Sequence, residues 1–214
     1  MDKLNTLLGL IDSNTVNNIR NFLNDSGDEP KKLTVESVSN HVYFYAHVDS
    51  DRGLALMREL REKDQDLRNE RLSRDIPDTF PHTPIWLHIN SGGGELFTGF
   101  ALADQIPTIK TPIYSIVEGY CASAATLISM SCTERFIRPS SFMLIHQLSD
   151  ASWGTYSQLQ DDQHLRDMAM ERLYNFYSKK SHIEIEKVKE YLTRDSWFNA
   201  TESLELGLAD RILE

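Results

Sequence analysis

Between Ile85 and His146, short apolar runs alternate with stretches of helical period, and few architectures accommodate that order. Ile85-Trp86-Leu87-His88-Ile89 is a continuous apolar run of the kind that fills a buried central strand, entered after the chain-breaking Pro77, Pro81 and Pro84. A helical pattern over 96–106 then feeds an apolar run over 112–117, and a second over 122–130 feeds runs at 135–138 and 143–146. This alternation predicts an α/β layer architecture, with helices packed on a mainly parallel sheet.

The flanks read differently. Residues 33–48 alternate as two strands turning at Ser39-Asn40. Residues 51–75 read as a charged helix, with Leu54, Leu56, Met57 and Leu60 toward the core and the far end projecting. Downstream, 156–180 has the pattern of one long helix, 183–192 of a second, and 201–206 of a short third ending on Gly207. Apolar positions in the first 28 residues fit two short amphipathic helices. The expected organisation is an N-terminal helical appendage over 1–30 and a single domain over 31–214. A chain of 214 residues, 40% hydrophobic, supports one full-sized core rather than two.

With 32 acidic against 22 basic residues, a net charge of −10 and no basic cluster, the chain is a poor partner for nucleic acid or an anionic membrane. The opening MDKLNTLLGLIDSN has too short an apolar run for a secretory signal, and nowhere do about 18 apolar residues run together. A cytoplasmic protein is expected. Cys121 and Cys132 share one apolar segment and read as small buried hydrophobes rather than a disulfide.

Three consecutive glycines, Gly92 to Gly94, follow the central strand. They lack the Lys-Ser/Thr ending of a P-loop and the G-x-G-x-x-G register, and Glu95 beside them would repel a phosphate. A tight turn remains, or an anion hole in which a glycine N–H faces an oxygen that gains charge during acyl transfer. The second option needs a nucleophile. Ser123 stands where a strand gives way to an apolar helix, between two alanines, as either a helix N-cap or a nucleophile with the N–H of Ala124 beside it. His146 ends an apolar strand run, where a base would sit at the sheet's carboxyl edge. Asp195 follows a helix and precedes Trp197-Phe198, which could bury it. The histidine spacings do not suit a metal, and no metal site is expected.

Four blocks carry a resemblance: Ile89-Asn-Ser-Gly-Gly-Gly94, Gly119-Tyr-Cys-Ala-Ser-Ala124, Met143-Leu-Ile-His-Gln147, and Thr193-Arg-Asp-Ser-Trp-Phe-Asn-Ala200 with the tail Glu205-Leu-Gly-Leu-Ala-Asp-Arg-Ile212. In order and separation they resemble the Clp protease proteolytic subunits, ClpP, within the ClpP/crotonase fold superfamily. The resemblance implies repeated ββα units with a mainly parallel sheet and a protruding helical handle over about 148–180. It implies a serine endopeptidase without cofactor, in which Ser123 is the nucleophile, His146 the general base and Asp195 its orienting acid. The N–H groups of Gly93 and Ala124 would form the oxyanion hole. It further implies peptide or unfolded-protein substrates, a homo-oligomeric barrel of one heptameric ring or two stacked, and an AAA+ unfoldase as partner. The chain departs from the family at Gly92, at Leu148-Ser-Asp-Ala-Ser-Trp-Gly154, at Thr193 and in an insert over 60–84. Two alternatives stand beside this reading, a non-catalytic ring subunit and a crotonase-type acyl-CoA enzyme.

Overall fold

The computed structural model describes residues 35–77 and 79–214, and the two helices expected within residues 1–30 lie outside the described residues. The fold starts with a hairpin, β1 (Val35–Val38) and β2 (His41–Phe44), which turns at Ser39 with φ of 56°. Alternation then sorts β2 between two faces: Val42 and Phe44 are fully buried, whereas His41 and Tyr43 are turned to the other side.

Helix α1 (Ser50–Ser73) starts at Asp49, whose carboxylate accepts the N–H of Arg52 at 2.8 Å. Its core stripe is Gly53, Leu56, Met57 and Leu60, and beyond Leu60 it projects. Leu54, expected in that stripe, is instead 54% exposed, because the three- and four-residue spacing of the buried positions passes it by. The projecting half is tied at two points. Asp64 accepts both the N–H and the hydroxyl of Thr111, at 2.8 and 2.7 Å. Arg71 donates to the carbonyls of Pro77, Phe80 and Pro81, which folds the proline-rich insert back along the helix.

The central layer follows as β3 (Ile85–Ser91), α2 (Leu96–Gln105), β4 (Ile113–Ala122), α3 (Ala124–Ser129), β5 (Glu134–Ile137) and β6 (Phe142–Ile145). Ile85, Leu87 and Ile89 are fully buried, and Leu87→Ala would cost about 2–5 kcal/mol. The sheet runs β1-β2-β3-β4-β5 and then β8 (Arg211–Ile212), and every pairing within it is parallel except β1–β2 and that of β6 with β7 (Ser196–Asn199). The mainly parallel α/β layer read from the sequence is the architecture present.

One feature of β4 positions the site. Its first half pairs with β5 and its second half with β6, and the chain bends between them at Gly119, whose φ is 80°. The buried Ser141 hydroxyl bridges this break, accepting from Gly119 N–H at 2.8 Å and donating to Val117 C=O at 3.1 Å.

The chain continues with α4 (Tyr156–Lys180), α5 (Ile185–Leu192), β7 (Ser196–Asn199), α6 (Ala200–Glu205) and β8 (Arg211–Ile212). The strand β7 was not anticipated. It is a four-residue alternation with Ser196 and Phe198 inward, held antiparallel to β6. Cys121 and Cys132 are buried free thiols, and burial pushes Cys132 up to about 12.

Candidate active site

The turn from β4 into α3 carries Ser123 at φ 55° and ψ −128°, a conformation that costs a side-chain-bearing residue about 1–3 kcal/mol. Backbone bonds hold it there. Ser123 N–H donates to Leu144 C=O at 2.8 Å, and Thr126 N–H donates to Ser123 C=O at 2.9 Å. Its hydroxyl makes no capping bond, so this serine at a helix start is not serving as an N-cap. The side chain is half-buried between the buried Ala122 and Ala124.

The glycine loop packs against this turn. A Cβ on Gly93, whose φ is 88°, would lie 2.5 Å from Ala122 O and 2.7 Å from Ser123 Cβ, so only glycine permits the approach. Gly93 N–H, however, is directed inward to Ser91 Oγ at 3.2 Å. The expected oxyanion donor is therefore engaged within the protein. The next residue, Gly94, is differently placed. Val48 donates to Gly93 C=O and accepts from Glu95 N–H, both at 2.8 Å, and this parallel bridge turns Gly94's own N–H away from Val48. Gly94 lines the same cavity as Ser123. The Glu95 carboxylate accepts from Thr98 Oγ1 at 2.8 Å on the first turn of α2.

His146 is the first residue after β6 and lines the cavity with Ser123. Since Ile145 pairs with Ser196, one further step of the antiparallel register sets His146 opposite Asp195. Asp195 is exposed rather than buried under its aromatic neighbours, because Trp197 alternates outward and is 51% exposed. Neighbouring strands thus bring the three residues to one sheet edge, yet no hydrogen bond joins their side chains in this conformation.

The cavity is about 570 Å³, walled by Leu127, Leu165 and Leu173. Residues 147–152, which form no strand, border it, and this segment is fastened to α4 by the Asp150–Arg166 ion pair at 3.2 Å. Such a groove has room for an apolar side chain. Two buried residues beneath it escaped the sequence reading: Thr126, one turn into α3, and Tyr177 on α4. No run of residues announces them.

On the far face of the sheet, His88 is 6% exposed and its Nε2 lies 2.8 Å from His41 Nδ1. Its Nδ1 is 3.2 Å from Glu118 Oε2, a close approach rather than an aligned hydrogen bond. Glu118 also accepts from the Tyr45 hydroxyl and faces Arg138. Among the described residues no group of three potential ligands is arranged to hold a metal ion.

The Clp protease family model matches residues 38–214. The chain is 30% identical over 194 residues to ATP-dependent Clp protease proteolytic subunit 2 of Treponema denticola, covering 90% of this chain and 94% of that one. It is 34% identical over 139 residues to proteolytic subunit 1 of Chlamydia muridarum, covering 63% and 72%. Among solved structures, a ClpP1 mutant from Listeria monocytogenes matches with a TM-score of 0.68 at 21% identity, over 82% of this chain and 92% of that one.

Proposed function

The chain belongs to the Clp protease family, and from that premise we propose that it is a serine endopeptidase whose triad is Ser123, His146 and Asp195. The observation that carries this reading is the left-handed Ser123, with its uncapped hydroxyl on the same cavity as His146. His146 takes the Ser123 proton as Oγ attacks the scissile carbonyl, and Asp195 fixes the imidazole tautomer. The N–H groups of Gly94 and Ala124 receive the oxyanion, in place of the Gly93 pairing expected from sequence. Collapse of the tetrahedral intermediate breaks the C–N bond, and His146 gives its proton to the leaving amine. Water then attacks the acyl-serine, returns a proton through His146 and releases the acid.

Residues 31–214 form the peptidase domain in this reading, and 148–180 its handle. The handle's free half presents Tyr156, Leu165 and Met168 to solvent, 77%, 45% and 52% exposed, a surface suited to contact between copies in a homo-oligomeric ring or pair of rings. Substrates are peptides or unfolded proteins delivered by an AAA+ unfoldase. Among the described residues no helix is long and apolar enough to cross a membrane, and we place the assembly in the cytoplasm. The unbonded triad favours a second reading, a ring subunit that does not cut by itself.

Hydrolysis of a fluorogenic peptide by the largest assembly recovered decides between them. Turnover abolished by Ser123→Ala supports the peptidase; a folded assembly with no Ser123-dependent turnover supports the non-catalytic subunit.

A further inference from the structure

Ser123 occupies a φ that opposes its own side chain, so its neighbours must fix it. Its carbonyl oxygen receives two bonds from one residue, Thr126 N–H at 2.9 Å and Thr126 Oγ1 at 2.6 Å. Thr126 Oγ1 in turn lies 2.7 Å from the Tyr177 hydroxyl of α4, with Thr126 fully buried and Tyr177 1% exposed. Thr126 has a single hydroxyl proton. With that proton given to Ser123 C=O, Thr126 Oγ1 can only accept from Tyr177, and burial of the phenol keeps its proton in place to be donated. The reverse order would strand the Tyr177 proton without an acceptor in a dry site, at a cost that buried polar groups rarely carry.

The carbonyl at the end of this chain has a particular partner. Ser123 C=O and Ala124 N–H belong to one planar trans peptide, so fixing the oxygen on one side aims the N–H on the other. We propose that Tyr177 is a positioning residue for the oxyanion hole: through Thr126 it locks the Ser123–Ala124 peptide plane and directs Ala124 N–H into the cleft. This rests on the serine-peptidase reading above. The effect belongs to the transition state, where negative charge appears on the carbonyl oxygen, and not to substrate binding. It also makes α4 a support of the catalytic turn as well as a wall of the cavity, since the Tyr177 ring lines the cleft.

The test uses the full chain in its assembled form and measures kcat and KM for a fluorogenic peptide, with the rate of fluorophosphonate acylation alongside. Tyr177→Phe keeps the ring and removes the hydroxyl. It should lower kcat and the acylation rate about tenfold with KM unchanged, short of the hundredfold or more that follows outright loss of an oxyanion donor. Thr126→Val should lower kcat further, Thr126→Ser should restore it, and the double variant Thr126→Val/Tyr177→Phe should be no slower than Thr126→Val alone. Wild-type kcat in folded Tyr177→Phe overturns the relay, as do losses that multiply in the double variant. Should Thr126→Val fail to fold, Tyr177→Phe and Thr126→Ser still decide, because their side-chain volumes fit the site. A wild-type chain whose turnover survives Ser123→Ala overturns the peptidase reading itself, an outcome distinct from failure of the relay alone.

Discussion

Ser123 N–H is bonded to Leu144 C=O at 2.8 Å, which stitches the turn carrying Ser123 to β6 two residues before His146. Because β6 also pairs with β7, one three-strand frame carries Ser123, His146 and Asp195. A catalytic group built on strand ends needs little backbone movement to reach working geometry.

Asp195 is the member of that frame most exposed to water. If it orients His146, Asp195→Asn presents an amide where an acceptor is required and favours the wrong imidazole tautomer. The expected result is a fall in kcat on the order of a thousandfold or more, with little change in unfolding midpoint. Steady-state kinetics on the assembled protein, paired with urea unfolding, checks both halves.

Gly93 and Gly92 should respond in opposite ways to alanine. A methyl on Gly93 meets main chain at 2.5 Å and sits at φ 88°, whereas one on Gly92 meets the Tyr120 ring at an ordinary 3.5 Å. Gly93→Ala should lose about 2–4 kcal/mol of stability and with it Ser123 reactivity, since backbone and not a flexible side chain must yield. Gly92→Ala should unfold within about 0.5 kcal/mol of the wild type. Denaturant unfolding of the pair, with fluorophosphonate labelling, measures the difference.

These examples show what was legible in the sequence. The bounds of α4 agree with its sequence pattern at both Tyr156 and Lys180, because heptad-like spacing is a local property. Ser123 reads from the sequence as a strand-to-helix boundary and His146 as the end of an apolar run, and the fold sets both on one cavity because a parallel sheet collects such ends at one edge. That Gly94 N–H is turned away from Val48 was not legible, since it depends on a bridge to a residue far back in the chain. The Tyr177–Thr126 bond spans 51 positions and leaves no periodic trace. The strand β7 was hidden by its length, four residues whose inward Ser196 and Phe198 acquire meaning only from their partner β6.

His88 predicts a pH dependence of folding stability. Burial, opposed by Glu118 and reinforced by His41 and Arg138, holds its pKa below the ordinary 6.5. The native state therefore binds its proton later than the unfolded chain, so this contribution is complete above about pH 6.5 and is lost as pH falls through the lowered value. Glu118 adds to the trend at lower pH. Although burial raises its pKa, the hydrogen bond from Tyr45 and the nearby His88 and Arg138 outweigh that and hold it below the ordinary carboxylate value. Urea unfolding at pH 7.5 and 5.5 should show lower stability at 5.5. In His88→Phe, which keeps the stack on Tyr43 at 4.4 Å, the difference should shrink.

Arg135 closes the C-terminal region onto the sheet. Its guanidinium holds Asp210 and the carbonyls of Lys180 and Gly207, at 2.6 and 2.9 Å, with its side chain 14% exposed. Arg135→Ala should cost about 1–2 kcal/mol, less than for a fully buried pair because the Asp210 side chain is 36% exposed. Arg135→Lys should recover only a fraction, because a point charge cannot span three acceptors. Thermal unfolding of the two variants ranks them.

Everything proposed above turns on Ser123 being a nucleophile activated by His146. The most direct test is to react the assembled protein with a fluorophosphonate and locate the adduct by peptide mass mapping. The account predicts one phosphonylated residue, Ser123, with labelling strongly reduced in His146→Ala; an unlabelled Ser123 in a folded assembly, or an adduct on another serine, would contradict it.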